Sequence, residues 1–419
     1  MSELHAPVRA AQRPADTHDA GLRALTDDAL RARFQPIFDR IALGAVEREQ
    51  ERRLPFEEVR WLREAGFGAL RIPRRYGGLG ATLPQFFTLL LELATADSNV
   101  SHLLRGHFSF LESRLNHEDE ATRAFWFPKV VDGALIGYAM AEQSATSAVG
   151  TTIVRDEESG WLLTGKKFYS TGTIYADWIV ATAMDGGQLA SLAFPATLPG
   201  VTRLDDWDGF GQRMTGSGTT VFDNVRLREE HVVRRFDSTL PASYNKGFLQ
   251  LVLLTSMAGA ARAGLREAVG FVQHKTRAFD VPRESSPRHD PLVQRVVGRL
   301  ASLSYAADSL VDGVARALEE TWQRAQAGTA DDALYAATEI KAFQAQQVVI
   351  DLVMQATTLL FEVGGASATG EARRLDRHWR NARTAASHNP AIFRERMIGD
   401  YWLNGTVPPR MPAVAPASG

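Results

Sequence analysis

Apolar residues recur with helical spacing at both ends of this chain and with strand-like spacing in its middle. Near the N-terminus, Val59 and Leu62 share one face of a segment opening at Leu54-Pro55-Phe56-Glu57-Glu58. Pro55 suits its first turn, the two acids suit the positive end of the peptide dipoles, and Gly66 suits its C-cap. Phe86, Leu89, Leu90 and Leu93 mark another helix running to Ala96. Residues 71–80 between them hold one proline and three glycines, which predicts an irregular loop.

From about residue 134 the texture changes. Short β-prone runs at 151–154 and 161–164 flank a turn and predict a hairpin. Residues 177–184, 188–194 and 219–227 are further strand candidates, punctuated by Gly and Pro as in a small barrel or sandwich. Beyond residue 244 three long apolar helices are expected, at 249–276, 292–327 and 330–363, the last ended by Gly364-Gly365. The expected class is α+β, mostly α. Its parts are a tail at 1–20, a helical domain at 21–133, a small β domain at 134–235, a helical bundle at 236–405 and a tail at 406–419.

Composition narrows the chemistry. Lys+Arg 47 against Asp+Glu 49 argues against a nucleic-acid binder. With no cysteine, disulfides, thiolate metal sites, iron–sulfur clusters and cysteine nucleophiles are excluded. No membrane span is expected from the apolar runs, and 1–20 lacks a secretory signal pattern, so a cytoplasmic protein is expected. His102, His107 and His388 have neither the i,i+4 spacing nor the carboxylates of a metal site, so no metal is expected.

Five segments, in order, resemble the acyl-CoA dehydrogenase superfamily. They are Leu62-Arg63-Glu64-Ala65-Gly66-Phe67 with Tyr76-Gly77-Gly78-Leu79-Gly80; Ala139 to Ser147; Gly165-Lys166-Lys167-Phe168-Tyr169-Ser170-Thr171-Gly172; Gly209 to Val225; and Phe361-Glu362-Val363-Gly364-Gly365-Ala366-Ser367. The resemblance implies an N-terminal helical domain, a central β domain and a C-terminal four-helix bundle around a flavin. It implies that Ala139, Ala141, Glu142, Ser147, Tyr169 and Ser170 line the ring, that Arg277 and Phe279 serve the cofactor's phosphate end, and that Gly364, Gly365 and Ala366 approach the flavin of a neighbouring subunit in a homotetramer.

The dehydrogenases remove an alpha proton with a carboxylate. Its two usual seats are the loop at 384–392 and the long helix at 247–265, and neither holds an Asp or Glu here. Glu267 and Glu395 are near but off register. The first seat holds Ser387-His388-Asn389-Pro390, followed by Ile398-Gly399-Asp400-Tyr401 and Asn404-Gly405. This resembles the flavin-dependent monooxygenases of the same fold that act on sulfur compounds, with Asn389 in place of an aspartate. The implied activity is the oxygenase component of a two-component system. It takes reduced FMN from a separate flavin reductase (FAD is a second option) and, with O2, passes through a C4a-hydroperoxide to oxidise a small, mainly apolar molecule at sulfur. His388, Ser170 and His102 are the expected catalytic residues. The segments expected to line the pocket, His102 to Phe110, Tyr138 and Phe248 to Ser256, favour a neutral substrate. N-hydroxylation, aromatic hydroxylation and a dehydrogenase with an unusual base are the alternatives.

Overall fold

Helices open and close the chain in the computed structural model, which describes residues 25–116, 119–142, 150–157, 160–233, 242–275 and 286–408. The first group is α1 (Asp27–Leu43), α2 (Ala45–Glu51), α3 (Phe56–Glu64), α4 (Leu83–Ala96), α5 (Ser98–Leu103), α6 (Arg105–Leu115) and α7 (Glu120–Val131). Pro55 stands at the N-cap of α3, and Gly66 follows its end with φ 77°. One correction concerns 71–80, where Arg74–Tyr76 closes a single 3-10 turn within the loop.

The middle of the chain forms β1 (Ile136–Ala139), β2 (Thr152–Asp156), β3 (Gly160–Lys167), β4 (Trp178–Asp185), β5 (Gln188–Pro195), β6 (Val201–Arg203), β7 (Thr220–Leu227) and β8 (Val232–Val233). They share one sheet in the order β6-β7-β3-β2-β4-β5-β8, with β1 parallel to β4. The expected hairpin is present, Val154 pairing with Leu162. A single parallel pair, Thr152 with Met184, joins the two halves. The sheet encloses its own core of Trp161, Leu163, Leu192, Phe194, Phe222 and Leu227. β1, β6 and β8 went unanticipated because two to four residues are too few to show a period.

The second helical group is α8 (Ala242–His274), α9 (Pro291–Gln326), α10 (Asp332–Leu359), α11 (Asp376–Ala386) and α12 (Ala391–Asn404). The membrane expectation needs correcting, since Ser243–His274 is long and apolar enough to cross a bilayer. Its most apolar window is 83% buried inside the protein, which makes it a core helix. Both helical groups build one continuous core. Phe86 of α4 stacks on Phe248 of α8 at 5.8 Å between ring centroids. At Gly259 of α8, an added Cβ would come within 2.3 Å of the Ala94 methyl, so glycine permits the close crossing of α4 and α8.

Candidate active site

The cleft that holds the expected catalytic residues lies where the helical groups meet the β domain. Asp97 caps α5, its Oδ1 accepting from the Asn99 backbone N–H at 2.9 Å. Its Oδ2 accepts from buried Arg48 at 2.9 Å, and Arg48 also donates to Glu58 at 2.8 Å. Asn99 Oδ1 accepts from the Met214 N–H at 3.3 Å, and the Ser101 and Ser256 hydroxyls lie 2.9 Å apart. α5 is thereby tied to the β domain and to α8. The loop after β3 meets α5 at Gly172, where φ is 77° and a Cβ would come within 2.1 Å of the Leu103 carbonyl oxygen. Only glycine allows that approach.

The helix is interrupted at Leu104, so His102 and His107 point to different surroundings. His107 is structural. Its Nδ1 accepts from the Ile136 N–H at 3.2 Å and its Nε2 donates to the Gly68 carbonyl at 3.0 Å, which requires the neutral ring. Burial pushes its pKa down to about 4. His102 is buried with neither ring nitrogen hydrogen-bonded. Burial first, then His388 and Arg105, push its pKa down to about 3. Gln212 beside it opposes that shift, and its Oε1 is also buried without a well-formed hydrogen bond.

His388 sits between α11 and α12, its ring 6.3 Å from that of His102 at 65°. Its Nε2 lies 3.3 Å from Arg105 Nη1, and its Nδ1 lies 3.3 Å from Asn389 Oδ1. A guanidinium only donates, so Nε2 must accept and the imidazole is neutral. The proton is therefore on Nδ1, donated to Asn389. Asn389 Nδ2 donates to Gln250 Oε1 at 2.8 Å, which fixes which end of the amide faces His388. Gln346 Nε2 donates to the Asn389 carbonyl at 2.8 Å and holds the loop on α10. Asn389, where the resemblance has aspartate, thus sets the tautomer of His388 without supplying charge. His388 is crowded by protein yet open to solvent along one edge. That crowding, with Arg105, holds its pKa below the usual histidine value.

The expected flavin-lining residues divide. Ser170 is buried with its hydroxyl unpartnered, its backbone N–H donating to the Gly218 carbonyl at 3.0 Å. Tyr169 is exposed in the left-handed region, φ 54°. Ala141 is exposed and bridges to Phe168. Ala139 faces the β core, so its backbone alone can serve a ligand. Glu142 is held by Lys167 and accepts from the Thr151 N–H at 3.1 Å; those hydrogen bonds outweigh desolvation and lower its pKa. Ser147, Arg277 and Phe279 lie outside the described residues.

Gly364, Gly365 and Ala366 are elsewhere. The Gly364 carbonyl accepts from Lys275 Nζ at 3.4 Å, at the far end of α8, whereas Arg105 Nε donates to Leu249 O at 3.2 Å at the near end. A rise of 1.5 Å per residue puts Leu249 and Lys275 roughly 39 Å apart. One chain does not bring the two sets together.

The cleft's described titratable groups are His102, His388, Arg105 and Tyr138. Glu267 is committed elsewhere, to His378 at 3.2 Å and to Arg377, and those partners hold its pKa down to about 2 despite burial. Glu395 is exposed on α12. Arg105, Gln212, Gln250 and Gln346 were missed from the sequence. A cation between Leu104 and Gly106, three residues after His102, was the available signal.

Fold and site together define a class, an acyl-CoA dehydrogenase architecture with a neutral histidine where proton abstraction would need a carboxylate. The acyl-CoA dehydrogenase N-terminal, middle and C-terminal domain models match residues 26–134, 137–225 and 251–391. The chain is 30% identical over 378 residues to the probable FMNH2-dependent monooxygenase SfnC of Pseudomonas putida, covering 88% of this chain and 93% of that one. It is 27% identical to the dibenzothiophene monooxygenase of Mycolicibacterium goodii, covering 87% and 91%. The structure of methanesulfinate monooxygenase MsuC from Pseudomonas fluorescens superposes with a TM-score of 0.80 at 28% identity, covering 91% and 98%. The chain belongs to the flavin-dependent monooxygenases of the acyl-CoA dehydrogenase fold.

Proposed function

We propose that this protein is the oxygenase component of a two-component system, taking reduced FMN from a separate flavin reductase and dioxygen to oxidise a small organosulfur compound. The observation that carries this reading is the neutral His388, fixed by Arg105 and Asn389 in a cleft without a described carboxylate. The residues present fit a flavin. Ser170 Oγ, both His102 nitrogens and Gln212 Oε1 are buried polar atoms without protein partners, the condition of a site that receives a polar ligand. Ser170 and the 139–142 backbone would hold the ring, with Ser147, Arg277 and Phe279 completing the site. FMN supplies the electrons and the site of oxygen activation. The chain's own part is to exclude water and to hold one proton at His388 Nδ1, beside a lone pair at Nε2.

A homotetramer belongs to the same proposal. The two sets of flavin residues at opposite ends of α8 need a second chain to meet. α12 exposes Ile392, Phe393, Trp402 and Leu403, an apolar surface suited to it. The domain limits near 133 and 235 and a cytoplasmic location are parts of this reading.

The test supplies reduced FMN enzymatically, with isotope-labelled dioxygen and a panel of sulfides, sulfones and sulfinates. One labelled oxygen atom in a product is the expected result. No label in any product, together with reduction of bound oxidised flavin by an acyl thioester, would return the protein to the dehydrogenases.

A further inference from the structure

Arg105 is the one charged group in the described cleft whose role is not exhausted by structure. A guanidinium has five N–H donors. Among the described residues two find acceptors, the Leu249 carbonyl at 3.2 Å and His388 Nε2 at 3.3 Å. No described carboxylate pairs with it, and the charged and titratable groups around it are His102, His388 and Tyr138. Three other buried arginines are paired with acids: Arg48 with Glu58 and Asp97, Arg71 with Glu112, Arg377 with Glu267. A partly buried cation beside a reactive cleft, without a counter-charge and with donors to spare, is built to receive an anion.

We propose that Arg105 is the anion-binding residue of the substrate pocket, and that the substrate carries an oxyanion, as in an organic sulfinate, sulfonate or carboxylate. Calling the bound anion a substrate rests on the oxygenase reading above. This departs from the expectation of a neutral substrate, because the apolar segments expected to line the pocket include one cation, Arg105. The anion completes the donor set of Arg105 and lies beside His388, where the neutral imidazole adds no repulsion and no competing negative charge. Phe248 and Leu251, buried in the adjoining stretch of α8, leave an apolar setting that raises the worth of that single contact.

The test is equilibrium binding to the FMN-loaded protein by calorimetry. Benzenesulfonate and methyl phenyl sulfone are the probes, being similar in size and differing in charge. The wild type should bind the sulfonate at least about 10-fold more tightly, the scale of one charge-assisted hydrogen bond. Arg105→Met should bring the two probes within about twofold, with Arg105→Lys between, and FMN affinity unchanged. Equal binding of both probes by the wild type overturns the proposal. So does an equal loss of both in Arg105→Met, or a loss of FMN in place of sulfonate. If Arg105→Met does not fold, Arg105→Gln, whose amide can keep a donor for the Leu249 carbonyl, serves the same comparison. Binding requires no turnover, so the two ideas fail separately: labelled product without sulfonate preference sinks only the anion site, and sulfonate preference without labelled product sinks only the oxygenase.

Discussion

Two buried polar regions lie side by side in this protein and are built on opposite principles. In one, charges are met by charges, though Glu58 Oε2 keeps no hydrogen bond: Arg48 pairs with Glu58 and Asp97, Glu49 with Arg380 at 2.7 Å, and Glu112 with Arg71 at 3.2 Å and the Tyr244 hydroxyl at 2.7 Å. In the other, the His388 cleft, both His102 nitrogens, Ser170 Oγ and Gln212 Oε1 are unanswered and the imidazoles are uncharged. Burying a polar group without a partner costs free energy, so a fold keeps such groups where a ligand supplies the partner. The ion-paired region is scaffold and the uncharged one is the working site.

Breaking the scaffold should have the largest effect. Arg48→Met leaves Glu58 and Asp97 buried without their shared cation and releases the cap of α5. A loss of about 3–5 kcal/mol is expected, read as a fall in the denaturant midpoint, with FMN binding lost alongside stability. A wild-type midpoint would erase the distinction between scaffold and working site.

His388→Ala should do the reverse. Stability changes by less than about 1 kcal/mol, because His388 is open along one edge, and the variant still binds FMN. Product formed per FMN oxidised falls about 100-fold or more, with hydrogen peroxide released in its place. Normal coupling by the variant would remove His388 from the chemistry.

Acid should set the buried neutral histidines, His102 of the cleft and His107 of the scaffold, apart. His102 and His107 are neutral in the fold, with pKa values pushed down to about 3 and about 4, while an unfolded chain binds protons near 6.5. The unfolded state therefore holds more protons between pH 6.5 and 4, and stability falls as pH drops through that window. His107→Gln can keep both hydrogen bonds, from Ile136 and to Gly68, without titrating. It should flatten the pH dependence of the unfolding midpoint by up to roughly 3 kcal/mol at the acid end. An unchanged slope would show that His107 is not the buried neutral base described.

Asn389→Asp gives the smallest and most local change. It places an anion at His388 Nδ1 and should raise that pKa by about one pH unit, which favours the imidazolium over acceptance from Arg105. The acid limb of coupled turnover should move upward by a similar amount, with the unfolding midpoint at neutral pH nearly unchanged. An unmoved limb would show that Asn389 does not govern the protonation of His388.

Much of this was legible in the chain. The helix that became α4, the long α8–α10 and five of the eight described strands followed from apolar spacing, because each is long enough to show its period. Two empty carboxylate seats were visible because absence from a local stretch needs no fold to read. Short elements such as β1 and β8 were not legible, nor was the orientation of Ala139, which points into the β core.

What the sequence determined by itself was the order of three domains, a flavin-type set of motifs and the loss of the usual base. The tertiary structure decided which polar groups are partnered. Arg105 and His388 are 283 positions apart, and Asn389 and Gln250 are 139 apart, so no local pattern could announce that one pair removes charge from the imidazole and the other places its proton. Glu267 reads as a spare base until Arg377 and His378 claim it. The physical reason is general: spacing reports which residues share a face, whereas charge state depends on what the fold brings to within about 3 Å of each group.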